Sequence, residues 1–185
     1  MQYEGYSSAS QTVSELSAIG SPTRHLWDSL VVVYPTLILG FGWGILLASI
    51  HIRALRITGV LFIIYGITGF FWPYAPMHQR EFLAAGDKSI SDSMHIAFSI
   101  VTVLLMFLMI TFGASSFGKR FRLYSLLTIL LLLFFGGLTG IAGPKIEANL
   151  PTPWIGIWER ICIGVYLLWV ALLAIELLRS RQNNH

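Results

Sequence analysis

Charge is what this sequence has least of. Lys, Arg, Asp and Glu together make up 11% of its 185 residues, against about 25% in ordinary soluble domains. Twelve bases and nine acids are too few to coat a water-soluble surface of this size. A hydrophobic content of 55% excludes a disordered chain. Cysteine is nearly missing as well: the single Cys162 rules out an internal disulfide framework and any multi-cysteine metal site. The net charge is +3 and the pI about 9.2, yet no basic run exceeds Lys119-Arg120, so no nucleic-acid partner is expected. Residues 1–28 show neither a positively charged start nor an apolar h-region, and nothing there reads as a signal peptide.

What the chain does have is grease in long blocks. Its mean hydropathy is +0.71, concentrated in Leu30 to Ile50, Ile57 to Trp72, Met94 to Phe112, Leu123 to Gly143 and Ile161 to Leu178. A helix needs about 20 mostly apolar residues to cross the hydrocarbon core. Backbone groups in lipid must be satisfied within the segment, so these five runs are helices. Runs such as Leu130 to Leu133 do not alternate as barrel strands would. The expected fold is all-α, a polytopic integral membrane bundle with five transmembrane helices. Residues 1–29 form an external N-terminal segment, 30–178 the transmembrane domain and 179–185 a cytoplasmic tail.

Orientation follows from the bases. Arg53, Arg56, Lys119, Arg120, Arg122, Arg179 and Arg181 fall on one side, seven in all, in short connections and the tail. Arg24, Arg80, Lys88, Lys145 and Arg160, five in all, fall on the other. Eight acids (Glu4, Glu15, Asp28, Glu81, Asp87, Asp92, Glu147 and Glu159) share that second side, leaving Glu176 on the first. The basic side is expected to be cytoplasmic, with the N-terminus outside and the C-terminus inside. The expected location is the plasma membrane, the inner membrane in a bacterium. Membrane lipids are then the default partners.

Two external segments read as short interfacial helices. One is Pro76 to Ala85, with Pro76 in its first turn and Gly86 as its C-terminal cap. The other carries Val13, Leu16 and Ile19 at three-residue spacing before Gly20. Pro144 to Pro153 reads as a proline-rich connection. Trp27, Trp72, Trp154 and Trp158, four of six tryptophans, sit at the outer boundary, where such rings are favoured. Pro35 is expected to bend the first span. Gly40 with Gly44, and Gly136 with Gly140, make two G-x-x-x-G spacings, read first as packing within one bundle and second as a homo- or hetero-oligomer face.

No Asp, Glu, Lys, Arg, His, Asn or Gln lies at mid-depth in any span. That argues against proton pumps, cation channels and coupled transporters, which need polar groups along a path. It also disfavours b-type haem, and no cofactor is expected. His51 sits near the inner end of its span and His95 near the outer end of another. The chemically capable groups gather outside: Ser14, Glu15, His78, Glu81, Asp92, His95, Glu159 and Arg160. Each has a structural role to weigh against a chemical one. Asp92 is placed to cap the third span, and His95 to satisfy a neighbouring carbonyl or carboxylate. Glu159 and Arg160 are placed to tie helices together, and Ser14-Glu15 to shape a turn. The sharper reading has Glu15, His95 and Glu159 converging as catalytic groups on one pocket, with Ser14, His78, Asp92 and Arg160 binding ligand. His with carboxylates performs general acid–base work or holds a divalent metal. No H-x-x-x-H or H-E-x-x-H spacing supports a metal.

At these residues the chain resembles a known family. SQTVSEL (Ser10 to Leu16), the connection running from Phe70-Phe71-Trp72-Pro73 to Ser91-Asp92-Ser93-Met94-His95, and the late Trp158-Glu159-Arg160 are similar to a bacterial membrane-protein family of unknown function, domain of unknown function nine-nine-eight, over nearly the whole chain. The matching positions are Ser14, Glu15, Leu16 and His95. The resemblance implies six helices with the Ser-Glu-Leu segment following the first. A first helix is therefore expected to be missing here, through an assigned start that is too late or a version of the fold without it. The family's Phe-Pro-x-Asp-like run is replaced by Phe71-Trp72-Pro73-Tyr74-Ala75-Pro76, so no carboxylate role carries over to that position. The resemblance implies a fold and no activity. Three functions remain: a membrane protein binding a lipid or small amphiphile in an outward pocket, an enzyme acting on a lipid head group through the His/Glu cluster, or a structural subunit of a membrane complex.

Overall fold

The apolar blocks fold as their length demands. In the computed structural model, which describes residues 5–49, 52–86 and 88–182, five helices are long and apolar enough to cross a membrane. These are α1 (Arg24–Ala48), α2 (Arg53–Gly69, whose span is completed by the following turn as far as Tyr74), α4 (Ile90–Ala114), α5 (Lys119–Glu147) and α6 (Ile155–Gln182), with the short α3 (Arg80–Ala84) between α2 and α4. Glu4, Ile50, His51, Asp87, residues 183–185 and the Arg181 side chain lie outside the described residues. The protein is an all-α, multi-pass membrane bundle. Its lipid-facing side chains are large and bare, Leu37, Ile100 and Leu123 among them.

Helix α1 packs along α2, α2 against α4, α4 against α5 and α5 against α6, whereas α1 and α6 barely meet. Lipid tails are as apolar as leucine, so close van der Waals fit must hold these helices together. The α1–α2 seam is a glycine seam. A Cβ at Gly42 or Gly59 would lie 3.0 Å from the other's carbonyl oxygen, and one at Gly69 would lie 2.7 Å from Pro35 Cγ. These are not the glycines of the G-x-x-x-G spacings. Around Gly40, Gly44 and Gly140 nothing stands within 4 Å of an added Cβ, and at Gly136 only Cys162 Sγ does, at 3.9 Å. Packing within the bundle, the first expectation for those four, is therefore corrected at Gly40, Gly44 and Gly140, and at Gly136 amounts to one ordinary contact with α6: spacing finds glycine pairs, but not which side of the helix the neighbour occupies.

One core fills the half of the bundle around Trp169. The Trp169 ring stacks at 5° on Phe62 and leans on Phe121, with Ile45, Leu55, Met109 and Ile110 closing around them. Polar atoms inside this core answer to one another. Ser125, Thr58 and Thr128 bond back to the carbonyl four residues earlier, and Trp169 Nε1 donates to Ser125 Oγ at 2.9 Å. A smaller cluster of Ala18, Met77, Ala142, Ile146 and Ile155 forms at the opposite end.

The connections at that end depart from expectation in four ways. Pro76 does not start a helix: residues 75–79 run irregularly, Ile19 bridges His78, and α3 begins at Arg80. Gly86 does follow α3, at φ +88°, the left-handed conformation that suits a residue without a Cβ. The N-terminal segment forms one 3₁₀ turn, Ser14–Ser17, with Thr12, Glu15, Ala18 and Ser21 buried in place of the apolar Val13, Leu16 and Ile19. A threefold spacing read one residue late picks the wrong face. Pro144 lies within α5, which runs on to Glu147 and ends through Asn149 at φ +50°. Asp92 is not the cap itself: Ser89 caps α4, and Asp92, three residues later, completes a reciprocal capping box.

Candidate functional site

Burying a carboxylate demands a matching cation and further donors, and the segment from residue 5 to 22 meets that demand. It lies as a strap across the end of the bundle. Glu15, 4% exposed, takes Arg80 Nε on Oε1 at 2.5 Å and Arg80 Nη2 on Oε2 at 2.9 Å. Oε2 also accepts from Thr12 N and Thr12 Oγ1. Arg80 completes its fork on Thr152 Oγ1 at 2.8 Å and Ser10 O at 2.9 Å. Strap, α3 and the α5–α6 connection are thereby joined at one point.

The start of α6 holds the strap a second time. Gly156 N donates to Ala9 O at 2.9 Å, and a Cβ at Gly156 would run into the Ser8 and Gln11 carbonyl oxygens. Arg160 donates to Ser8 O, Gln11 O and Gly156 O, and to the Tyr6 hydroxyl, whose ring lies beneath the guanidinium. Glu159 accepts from Val13 N through Oε2, and from Ser14 Oγ at 3.4 Å through Oε1. The expectation that Glu159 and Arg160 tie helices together is corrected in its object: they tie the strap to α6.

A separate knot organises the connection before α4. Asp92 Oδ1 accepts from His78 N at 2.7 Å, and Oδ2 stands 2.9 Å from His78 Nδ1. The Ser89 backbone and hydroxyl also donate to Oδ2. His95, one turn along, turns away from Asp92. Its Nδ1 lies 2.9 Å from Ala75 O, and since a carbonyl only accepts, Nδ1 carries the hydrogen. Trp72 packs edge-on against the imidazole at 5.0 Å. In the neutral ring Nε2 then keeps a lone pair.

Between these two knots, where α1 and α6 part, is a cavity of about 400 Å³. Val13, Ser14 and Ser17 of the strap roof it. Trp27 and Asp28 of α1, Trp72, His95 and Glu159 ring its upper part, and Tyr65, Val103, Met106 and Ile163 continue the wall along the spans. It is polar towards the strap and apolar towards the lipid core.

The sequence-predicted residues therefore divide. His95, Glu159 and Ser14 line the cavity, whereas Glu15, His78, Asp92 and Arg160 are not among its lining residues. Those four are engaged in the knots described above. Arg80, the partner of Glu15, escaped sequence reasoning, although a chain with so few charges gave one clue. A carboxylate read as entering a pocket needs a cation, and Arg80 is one of two bases, with Lys88, in the connection between the second and third spans. Trp27 and Trp72 were placed at the boundary but not at the cavity. Among the described residues no three His, Cys, Asp or Glu side chains gather to hold a metal ion.

Comparison with curated proteins and with solved structures finds no match. The family model described as "Protein of unknown function (DUF998)" matches residues 1–176, nearly the whole chain, and the protein belongs to that family.

Proposed function

We propose that this protein is a multi-pass plasma-membrane protein that binds one lipid or small amphiphile in the cavity beneath its N-terminal strap. The observation that carries the reading is the cavity's polarity gradient: His95, Glu159 and Ser14 at one end, Tyr65, Val103 and Met106 at the other. Its volume of about 400 Å³ falls within the range of about 300–1,000 Å³ usual for small-molecule sites. An amphiphile lying with its head under the strap and its chain along α4 matches that gradient. The strap end faces outward, because the short connections at the other end carry Arg53, Arg56, Lys119, Arg120 and Arg122. The tail is then cytoplasmic, and Glu15, Arg80, Arg160, His78 and Asp92 serve the site by holding its roof and rim.

Native mass spectrometry of the detergent-purified protein tests this. The expected spectrum shows one retained amphiphile per chain, lost in Ser99→Phe, which fills the cavity from α4. A wild-type spectrum without adducts, even after incubation with membrane lipid, overturns it. A second reading, acid–base catalysis on a lipid head group, is favoured by one observation, that His95 and Glu159 share the cavity wall. Recovery of the retained lipid in chemically altered form, dependent on His95, selects that reading.

A further inference from the structure

We propose that the amphiphile this cavity accepts is a single-chain one with a protonated amine as its head. The proposal rests on the cavity reading above and adds the chemistry of the ligand. Size sets the first limit. At about 400 Å³ the cavity lies near the lower end of the range for ligand sites, about 300–1,000 Å³, which suits one chain and not a two-chain lipid.

Hydrogen-bonding capacity sets the second. Ser14 Oγ donates to Glu159 Oε1, Ser17 Oγ to Ser14 O and Ser99 Oγ to His95 O. His95 Nδ1 donates to Ala75 O. All four side chains line the cavity with their hydrogens already committed to protein acceptors, so they offer it lone pairs. Glu159 Oε1, held by one long bond of 3.4 Å, and His95 Nε2 are the acceptors least occupied. A ligand matching the Glu159–His95 part of the wall brings N–H donors.

Charge points the same way. Among the described residues Glu159 makes no ion pair, an unusual state for a carboxylate next to lipid. Its sequence neighbour Arg160 is spent on three carbonyls and Tyr6, and Arg80 is spent on Glu15. The cation on the wall itself, Arg24, stands 3.9 Å from Asp28 on the same wall. The Arg160 charge reaches Glu159 through space, but no guanidinium hydrogen does, so the carboxylate has room for a direct contact with a cation from outside the chain. Trp27, Tyr65 and Trp72 line the same space, and aromatic faces attract cations. A carboxylate or phosphate head would meet Glu159 as a like charge.

The test uses the full chain in uncharged maltoside micelles with three probes sharing one tail: dodecylamine, dodecanol and dodecanoate. At neutral pH the amine is a cation, since alkylammonium groups titrate near 10, as Lys does. Binding is followed by tryptophan fluorescence, with Ser99→Phe as the blocked-cavity blank. Dodecylamine is expected to bind at least about tenfold tighter than dodecanoate, the scale of one charge-assisted hydrogen bond, with dodecanol between. Glu159→Gln, which keeps an acceptor for Val13 N, should bring the amine down to the level of dodecanol. Asp28→Asn at the exposed rim should weaken it by no more than about fivefold. Dodecanoate binding as tightly as the amine, or an amine affinity indifferent to both substitutions, overturns the amine assignment. If Ser99→Phe abolishes all three probes while they bind alike, the cavity stands and only the amine is wrong. If no probe responds to Ser99→Phe, the cavity reading itself falls.

Discussion

The two ends of this bundle are built on different physics. Around Trp169 the chain packs ring on ring, Phe62, Trp169 and Phe121, and the few polar atoms inside satisfy themselves within that packing. Under the strap, contact is made by charge: Glu15 with Arg80, Asp92 with His78, and Arg160 with a row of carbonyls. The first end is filled and the second encloses space. Dispersion packing is short-ranged and leaves no room, whereas a few directional bonds bridge a gap and hold a roof over it. The proposed ligand site lies at the second end for that reason.

Substitutions can break that contrast, and Trp169→Ala should do so most. It removes the largest fully buried side chain and strips Ser125 of its donor. It should cost about 3–5 kcal/mol of stability, read as loss of the whole unfolding transition in detergent. Arg80→Ala attacks the other end. Leaving Glu15 buried and unpaired carries a similar nominal cost, about 3–5 kcal/mol, but the strap has a cheaper escape by lifting off. The expected result is rapid proteolysis within residues 5–22 while the Trp169 end keeps its unfolding temperature. A global collapse instead would show that the ends are one cooperative unit.

Smaller changes sharpen the picture. Gly156→Val forces the strap off the start of α6 by collision with the Ser8 and Gln11 carbonyls. About 1–3 kcal/mol of overpacking strain should appear as faster cleavage of the strap and weaker retention of amphiphile. Lys88→Ala breaks the exposed ion pair with Glu147 and should change stability by less than about 1 kcal/mol. A larger loss in thermal unfolding would mean that this rim contact matters as much as the buried ones.

How much of this was legible in the sequence depends on the length scale of the signal. The spans were plain, because lipid imposes a length and a composition on every residue of a crossing helix. Their ends were less so: α1 starts at Arg24, since its polar first turn lies outside the apolar run that marks a span. The outer group was found in part. His95, Glu159 and Ser14 stand on one wall, but Glu15 and Asp92 are held by Arg80 and His78, partners 65 and 14 residues away. No local spacing encodes such a pairing. The G-x-x-x-G pairs misled because the motif states that a helix has a flat side and not what lies against it.

The sequence by itself determined that this chain lives in a bilayer as five crossing helices, because transfer of unbonded backbone and of charge into hydrocarbon costs too much for any other arrangement. Only the tertiary structure decided which acids are matched by a basic side chain in the knots, Glu15 and Asp92, and which face a cavity, Asp28 and Glu159. That outcome depends on where distant guanidinium groups come to rest, and a buried charge is defined by its neighbours in space.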